Sequence, residues 1–335
     1  MASLVFPLRM AVKQSRREFV RTLFVASQAA VAGSLLSGCA VPAPAVPPTA
    51  GGPQPDGLKF LVFGDWGRNG EPDQAEVAAQ MARAAQELPA KFIISVGDNF
   101  YENGVASVDD PQWQTSFENV YAAPSLQVPW HVILGNHDYR GSCQAQLDYG
   151  KTHPRWNLPA RYFQQTHRLP DGTTADFFYL DTSPILAEYQ HDVRMGPQIR
   201  AQDVPAQLAW FKNALAASTA PWKIVIGHHP IYSGGFHSDT AEMKQHILPL
   251  LHEHKVQAYF NGHDHDLQHL VEGDLNLFCS GAGSQVRFTF ATQYTKFALT
   301  TPGFTTVNLA ADQMEVRMID GRGRLLYAVN VPRVA

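Results

Sequence analysis

Five short apolar segments, each followed at once by a polar group that contains glycine, constrain the fold of this chain more than any other feature. Short apolar segments bounded by glycine are typical of buried β-strands. In α/β folds, the polar side chains that bind ligands collect at the carboxyl ends of the strands. The pattern therefore predicts a buried sheet with Asp, Asn and His side chains gathered at one edge. The predicted strands are Lys59–Phe63, Lys91–Val96, Trp130–Leu134, Trp222–Ile226 and Val256–Phe260.

The segments between these strands have helical spacing. Ala, Leu, Gln and Trp recur along Asp73–Leu88 and Pro205–Ala217, so strands and helices alternate and the fold class is α/β. With 45% hydrophobic residues, the chain is rich enough in apolar side chains to bury one large domain, which we place at residues 57–335. Its last third predicts successive hairpin strands at Asn276–Cys279, Phe304–Ala310, Gln313–Ile319 and Arg324–Val329.

The N-terminus has the pattern of an export signal. Ser15–Arg21 contains the arginine pair of a twin-arginine motif, and the apolar stretch Thr22–Leu36 that follows is too short to span a membrane. Leu36–Cys39 then matches a lipobox, in which the cysteine is lipidated. We therefore predict a signal peptide at 1–38 and a proline-rich tether at 39–56. The alternative is an exposed helix with a chance arginine pair.

Composition excludes several classes of protein. The chain has 26 Lys+Arg against 30 Asp+Glu and a net charge of -4, which argues against a nucleic-acid partner. Three cysteines are too few for a disulfide scaffold. If Cys39 carries lipid, Cys143 and Cys279 are the remaining thiols; they could pair in an oxidising compartment, although we expect them to stay free.

Five clusters of metal-ligating side chains follow the predicted strands. Each is weak evidence alone, because Gly-Asp or Asn-His-Asp is usually a turn or a solvated loop. Taken together and in order, they predict a metal site. The candidate ligands are Asp65, Asp98, Tyr101, Asn136, His228, His263 and His265.

These clusters resemble the dinuclear metallophosphoesterases, and within them the purple acid phosphatases of the small tartrate-resistant type. The family pattern GDxG, GDxxY, GNH(D/E), VxxH and GHxH is matched in full by Gly64–Gly67, Gly97–Tyr101, Gly135–Asp138, Val225–His228 and Gly262–His265. The resemblance implies a metallophosphoesterase-type four-layer α/β/β/α sandwich with a single catalytic domain. It also implies that the metals lie at one edge of the sheets.

The resemblance further implies how the metals are held. Asp65, Tyr101 and His265 would bind one ion, Asn136, His228 and His263 the other, and Asp98 would bridge them. The implied cofactors are Fe(III) and a divalent ion, either Fe, Zn or Mn. A phenolate and carboxylates suit a hard trivalent ion, whereas an amide and two imidazoles suit a divalent one.

The activity implied is that of an acid phosphatase: hydrolysis of phosphate monoesters, with a metal-bound hydroxide as the nucleophile. By the same resemblance His137 and His237 are catalytic residues that contact the substrate. The chain departs from the mammalian enzymes at Phe236, where those have an acidic residue, so the identity of the general acid stays open.

Two other functions remain open at this point. One is a phosphodiesterase or nucleotidase with two divalent ions, and the other is a non-catalytic, phosphate-binding surface lipoprotein. We expect small phosphorylated molecules or phosphoproteins as substrates and a lipid anchor at Cys39 in the periplasm or at the cell surface. The sequence does not indicate the oligomeric state.

Several residues near the motifs have two explanations each. Asp138 and Asp264 could orient ligand imidazoles or cap loops, and His229 could point away from the metals. The segment Ser183–Val204 either covers the mouth of the site or is a surface loop without effect on substrates. His246, His252 and His254 have the spacing of a solvated helix face.

Overall fold

Two seven-stranded sheets account for the fold of residues 56–333, the part of the chain that the computed structural model describes. The strands of this part are β1 Leu58–Phe63, β2 Phe92–Ser95, β3 Trp130–Val132, β4 Trp156–Asn157, β5 Phe163–Arg168, β6 Thr174–Tyr179, β7 Trp222–Ile226, β8 Ala258–Asn261, β9 Leu267–Glu272, β10 Leu275–Ser280, β11 Thr295–Leu299, β12 Gly303–Leu309, β13 Gln313–Asp320 and β14 Leu325–Pro332.

The first sheet has the order β14-β13-β12-β1-β2-β3-β4, and the second has the order β11-β9-β10-β8-β7-β6-β5. In the first, β1, β2, β3 and β4 run parallel to one another, while β12 pairs antiparallel with β1. In the second, β6, β7, β8 and β10 are parallel neighbours. Each sheet therefore contains four adjacent parallel strands, whose ends can gather polar side chains at one edge.

Six α-helices connect the strands of the described range: α1 Gln74–Glu87, α2 Cys143–Thr152, α3 Gly196–Arg200, α4 Val204–Ala217, α5 Ala241–His246 and α6 Leu248–Glu253. Helix α2 begins where the Ser142 side chain accepts a hydrogen bond from the Ala145 backbone N–H at 3.1 Å. Asp203 caps α4 in the same way through the Ala206 N–H at 2.9 Å. These side chains satisfy N–H groups that the first helical turn leaves unpaired.

The two sheets pack face to face, and β6 shows how the layers alternate. The Phe177 ring lies 5.4 Å from Phe60 of β1 and 5.8 Å from Phe92 of β2, so it fills the space between the sheets. The next residue, Phe178, faces the other way and lies 6.0 Å from Phe211 of α4. Because successive strand residues point to opposite faces, one strand contacts the other sheet and an outer helix.

The predicted strands and helices are confirmed with shifts of up to three residues at their ends, and the predicted four-layer α/β class is confirmed. Of the predicted successive hairpin strands, β12, β13 and β14 pair in order, whereas Asn276–Cys279 belongs to β10 of the second sheet and pairs with β8 and β9. All described residues fall in one compact unit. The sequence did not predict β5, whose residues Phe163–Arg168 are mostly polar and partly exposed because β5 is an edge strand. It also did not predict β4, β6, β9 and β11.

The predicted signal peptide at 1–38 and Cys39 lie outside the described residues, as does all but the last residue of the predicted tether at 39–56. Within residues 56–333, no helix combines the length and the apolar character that crossing a membrane requires. The boundaries proposed for the signal peptide and the tether stay predictions.

Candidate metal centre

The seven predicted ligands all lie in loops that follow the parallel strands. Asp65 comes two residues after β1, Asp98 follows β2, and Asn136 follows β3 in the first sheet. In the second sheet, His228 follows β7 and His263 follows β8. Hydrogen bonds and ion-pair distances between these side chains show that the loops of both sheets meet at one place.

Three of these ligands occupy an unusual backbone conformation. Asp65, Asp98 and His263 have φ angles of 59°, 49° and 69°, in the left-handed region that residues other than glycine rarely adopt. Such strain is retained where the surrounding structure enforces it, and it concentrates at functional sites. Here it turns each side chain back from the end of its strand toward the other ligands.

Glycines beside the ligands let the loops approach closely. A Cβ atom on Gly135 would lie 2.2 Å from Asp98 Oδ1, and one on Gly262 would lie 2.2 Å from Asp65 Oδ2. Real Cβ atoms are essentially never this close to another heavy atom. The motif glycines therefore leave room for the two carboxylates.

One half of the site is centred on the Tyr101 hydroxyl. Tyr101 Oη lies 3.1 Å from Asp65 Oδ1, 3.0 Å from Asp98 Oδ2 and 3.0 Å from His265 Nε2. His265 Nε2 is also 3.5 Å from Asp65 Oδ1. These four side chains are buried, and they are the set expected for the trivalent ion together with the bridging carboxylate.

The other half is formed by His228, Asn136 and His263. His228 Nε2 lies 3.2 Å from Asn136 Oδ1 and 3.4 Å from Asp98 Oδ1. The His263 ring is 5.1 Å from the His228 ring. Asp98 thus directs one oxygen to each half of the site, which is the arrangement a bridging ligand needs.

Backbone carbonyls fix the orientation of two ligand imidazoles. His228 Nδ1 lies 2.9 Å from the Val96 carbonyl oxygen, and His265 Nδ1 lies 2.8 Å from that of Gln285. Because these nitrogens donate to the carbonyls, the Nε2 lone pairs face the centre of the site. This is the usual support for a metal-binding histidine.

Burial and the two carboxylates together set the protonation of the ligand histidines. It lowers the pKa of His265 to about 3, and burial with repulsion from neighbouring imidazoles lowers that of His263 well below its usual range. Burial opposes a charge on His228 too, but the Asp98 and Asp65 carboxylates raise its pKa to about 9. A proton and a metal ion therefore compete for His228 Nε2, and metal binding should release that proton.

The donor atoms fit a pair of metal ions. Neighbouring ligands of one ion with bonds of about 2.1 Å lie about 3 Å apart, which matches the distances around Tyr101 Oη. Two groups of three side chains each have donor atoms that lie within 4.8 Å of one another and could hold an ion. The first group is Asp65, Asp98 and His265, and the second is His228, His229 and His263. Of these, only His229 was not a predicted ligand.

His229 is held by hydroxyl groups and is not needed as a ligand. Its Nδ1 lies 2.8 Å from Thr182 Oγ1, and its Nε2 lies 3.0 Å from the Tyr189 hydroxyl. Both ring nitrogens thus have partners, whereas the His263 ring packs between His228 and His237. These contacts favour His263 as the predicted ligand, while His229 braces the loop that carries His228.

The comparisons with known proteins agree with this geometry. The calcineurin-like phosphoesterase model matches residues 58–267. Purple acid phosphatase 4 of Arabidopsis thaliana is 37% identical over 82% of this chain and 84% of its own length. The chain belongs to the purple acid phosphatases. Tartrate-resistant acid phosphatase type 5 of Sus scrofa is 36% identical over 83% of this chain and 88% of its own.

A solved structure agrees at the level of the fold. The purple acid phosphatase PPD1 from yellow lupin (Lupinus luteus) seeds superposes with a TM-score of 0.63 at 14% identity, over 84% of this chain and 54% of that one. Membership of the purple acid phosphatases confirms two predictions: the chain is an enzyme of the phosphoric monoester hydrolase class, and its centre is dinuclear.

The structure places both predicted catalytic histidines of this purple acid phosphatase beside the ligands, and each has an arginine partner. The His137 N–H donates to Asp98 Oδ1 at 2.7 Å, and Arg140 Nη1 lies 2.9 Å from His137 Nδ1. The His237 ring packs at a tilt against the His263 ring with centroids 4.1 Å apart, and Arg287 Nη1 lies 2.7 Å from His237 Nε2.

Sequence reasoning missed three arginines at the site. Arg68 lies 3.7 Å above the Tyr101 ring and forms an ion pair with Glu102. Arg140 had a local signal, since it follows His137 by three residues. Arg287 had none, because it reaches His237 from a loop that is distant in sequence.

Asp138 and Asp264 cap loops rather than orient imidazoles. Asp138 accepts hydrogen bonds from the backbone N–H groups of Gly135 and Asn99 at 2.8 and 3.1 Å. Asp264 accepts from the Ser233 hydroxyl at 2.5 Å and from the His237 N–H at 2.7 Å. The contacts therefore favour the second of the two explanations for both aspartates.

The segment 183–204 packs against the site. Its Tyr189 is buried and contacts His229, and Arg194 donates to Asn103 Oδ1 at 3.1 Å. Its effect on substrates stays a prediction. Cys143 and Cys279 are both buried free thiols.

Proposed function

We propose that this purple acid phosphatase hydrolyses phosphate monoesters at an Fe(III)–M(II) pair, where M is Fe, Zn or Mn, with activity that extends into the acid range. The observation that carries the proposal is the Tyr101 hydroxyl, within 3.1 Å of Asp65, Asp98 and His265. Burial and the two carboxylates raise the pKa of Tyr101 well above its usual range. A phenolate there needs a strong cation among the same donor atoms.

Charge balance supports a trivalent ion next to a divalent one. Asp65, Asp98 and a Tyr101 phenolate bring three negative charges, which leave a net positive charge against such a pair. That excess favours the binding of an anionic phosphate. When bound, the ions activate water and orient the phosphate oxygens for in-line displacement.

His137 is placed to interact with the bound ester. Its Nδ1 lies 2.8 Å from the Glu102 carbonyl oxygen, and its Nε2 lies 4.0 Å from Asp98 Oδ2. Nε2 thus faces Asp98 and has Arg140 Nη1 at 3.1 Å, so the imidazole and the guanidinium together can hold a phosphate oxygen, and His137 can pass a proton to the leaving group. His237 and its partner Arg287 supply the second set of donors.

The arginines favour monoesters over diesters. Arg140 and Arg287 each lie within 2.9 Å of one of the two histidines, so two guanidinium groups adjoin the place where phosphate would bind. A monoester can lose its second proton when it binds beside these charges, whereas a diester stays a monoanion, so the monoester gains more from them. Small phosphorylated molecules and phosphoproteins both satisfy this requirement.

The test compares substrates on protein purified with its metals. We expect hydrolysis of p-nitrophenyl phosphate below pH 6 to exceed that of bis(p-nitrophenyl) phosphate, which has the same leaving group, at least about ten-fold. We also expect a violet absorption band from the Tyr101 phenolate bound to Fe(III) in the oxidised protein. Faster diester hydrolysis by a colourless protein would establish a diesterase with divalent ions. Phosphate binding without turnover of either ester would establish a non-catalytic module.

We also propose export by the twin-arginine route with a lipid anchor at Cys39. The support is the order of the arginine pair, the apolar stretch and the lipobox in the sequence. The test is the double substitution Arg16→Lys and Arg17→Lys, with Cys39→Ala tested separately. We expect the first variant to stay in the cytoplasm and the second to be exported but no longer membrane-bound. Export of the first variant at the normal level would contradict the proposal.

A further inference from the structure

The turn of residues 137–141, which we call the His137 turn, carries both His137 and Arg140 beside the place where phosphate would bind. It is a short 3-10 turn, in which the Arg140 N–H donates to the His137 carbonyl oxygen at 3.1 Å. The Gly141 N–H donates to the Asp138 carbonyl oxygen at 3.2 Å. A turn with so few hydrogen bonds of its own does not fix its own position. The placement of its side chains therefore depends on contacts with other elements.

Gln198 of α3 makes the first attachment of the His137 turn. Its Nε2 donates to the carbonyl oxygen of Tyr139 at 3.0 Å and to that of Gly141 at 2.6 Å. The segment around Gln198 is itself fixed, because the side chains of Met195 and Ile199 are buried in the hydrophobic core. One amide group thus ties two carbonyls of the turn to the connection that follows β6.

The Tyr139 side chain makes the second attachment. It is buried, its hydroxyl donates to Asp181 Oδ2, and Arg161 Nη1 donates to the Tyr139 hydroxyl oxygen at 2.9 Å. Asp181 is buried two residues after β6, and Gln207 of α4 binds both its backbone N–H and its carbonyl oxygen at 2.9 Å. Loss of one partner would leave buried polar groups unpaired, which is costly, so this attachment holds the Tyr139 ring in one position.

The metal ligand on the same loop has a separate support. Asn136 precedes the His137 turn, and its loop is held by Asp138, which accepts from the Gly135 N–H at 2.8 Å. The buried Gln146 of α2 donates to Asp138 Oδ1 at 2.8 Å. These contacts lie on the side of the first sheet, whereas Gln198 belongs to the connection between strands of the second. Loss of the Gln198 amide should therefore displace the turn and leave the ligand in place.

We propose that Gln198 and Tyr139 are positioning residues, which hold the His137 turn so that the imidazole and the Arg140 guanidinium meet the phosphate ester in the orientation that the reaction requires. This role rests on the proposed monoesterase function and assigns a part in it to the connection after β6. A displacement of about 1 Å at a reacting group can cost about 100-fold in rate. Loss of one attachment should therefore lower kcat without releasing metal.

The test is a double-mutant cycle on the metal-loaded full chain, with p-nitrophenyl phosphate as the substrate. Gln198→Leu keeps the size of the side chain and removes its N–H donors. We expect this variant to lower kcat about ten-fold, with a smaller change in KM and with unchanged metal content and visible band. In a His137→Ala background the same substitution should lower kcat less than about two-fold, because the side chain through which it acts is gone.

Gln257→Leu is the matched control for Gln198→Leu. Gln257 is also an amide that binds two backbone groups: it accepts from the Lys223 N–H at 2.8 Å and donates to the Pro221 carbonyl oxygen at 3.0 Å. These contacts lie at the start of β7, whereas the ligand His228 follows its end. We expect Gln257→Leu to leave kcat unchanged in both backgrounds.

Tyr139→Phe tests the second attachment, because it removes the hydroxyl that contacts both Asp181 and Arg161. We expect kcat to fall about ten-fold in the wild type and less than about two-fold in the His137→Ala background. Its control is Tyr179→Phe, which removes a buried hydroxyl that has no hydrogen-bond partner within residues 56–333. This control should leave kcat unchanged.

Equal losses of kcat in the wild-type and His137→Ala backgrounds would overturn the proposal, since Gln198 would then act independently of His137. An unchanged kcat in Gln198→Leu would also overturn it, as would a loss of metal from that variant, which would make Gln198 a support for the ligands. Hydrogen exchange of the Arg140 and Gly141 amides needs no turnover, and Gln198→Leu should accelerate it. If the wild type leaves p-nitrophenyl phosphate intact, the proposed function fails, while the exchange rates still show whether Gln198 holds the turn.

Discussion

The Tyr101 hydroxyl lies within hydrogen-bond distance of Asp65, Asp98 and His265, and none of these three neighbours has a phenol group. We predict that Tyr101→Phe loses the visible band and at least about ten-fold of the activity, while the divalent ion stays bound. The measurements are the absorption spectrum and the metal content of the purified variant. A band of unchanged intensity would show that another residue supplies the phenolate.

Arg68 stacks on the Tyr101 ring, and contacts on both sides fix its position. Its Nε donates to Ser284 Oγ at 3.2 Å, and its Nη1 pairs with Glu102. A cation over the ring stabilises an electron-rich phenolate, so we predict that Arg68→Leu shifts the visible band to longer wavelength. Glu102→Gln keeps the guanidinium in place and is the control, for which we expect a smaller shift.

His137 donates its backbone N–H to Asp98, and its ring, with Nε2 4.0 Å from Asp98 Oδ2, is not among the predicted ligands. Its side chain can therefore be removed without removing a predicted ligand. We predict that His137→Ala lowers kcat about 100-fold and leaves the metal content nearly unchanged. Steady-state kinetics together with metal analysis test this prediction. Activity equal to that of the wild type would exclude His137 from the mechanism.

At the scale of elements, the loops that follow β2 and β3 meet at Gly135. A Cβ there would lie 2.2 Å from Asp98 Oδ1 and 2.3 Å from the Asp98 backbone nitrogen. We predict that Gly135→Ala displaces the bridging carboxylate and lowers metal retention at least about ten-fold, with circular dichroism unchanged. Gly321→Ala is the control, because the atoms nearest its Cβ lie at 3.6 Å; the two variants should differ clearly in metal content.

At the scale of the whole molecule, buried neutral histidines lower the stability of the folded protein in acid. His131 is 5% exposed, and its Nδ1 accepts a hydrogen bond from Asn157 Nδ2 at 3.1 Å. Burial, with repulsion from His167, lowers the pKa of His131 to about 3. Below about pH 6.5 the unfolded chain takes up a proton at His131, whereas the folded protein does not until about pH 3. The neutral ring therefore costs no stability above pH 6.5, and the free energy of unfolding falls as the pH falls toward 3.

We therefore predict that His131 alone lowers the unfolding free energy of the wild type by about 2 kcal/mol when the pH falls from 7 to 5. His131→Gln has no titrating ring, and its amide can still accept from Asn157, so its stability should fall less over this range. Urea unfolding at the two pH values measures the difference. Equal losses in both proteins would show that His131 is protonated in the folded state. His252→Gln, at an exposed position, is the control.

The sequence by itself determined the strands that carry the site and the candidate ligands that follow them. The pattern predicts strands at Lys59–Phe63 and Trp222–Ile226 because short, continuous apolar segments that end in glycine are typical of buried strands. The ligands Asp65 and His228 follow these strands directly, so a local pattern placed them as well. This information is short-range, which is why one sequence can supply it.

Only the tertiary structure decided which side chains from distant parts of the sequence contact one another. Arg287 reaches His237 across 50 residues, and Arg68 reaches Ser284 across 216. Asp98 lies between the two halves of the site because loops from two different sheets present His228 and Tyr101 to its two oxygens. The edge strand β5 formed although its residues are mostly polar, since pairing with β6 satisfies its backbone. Such contacts depend on where distant segments pack, and that is determined by burial over the whole domain rather than by any local pattern.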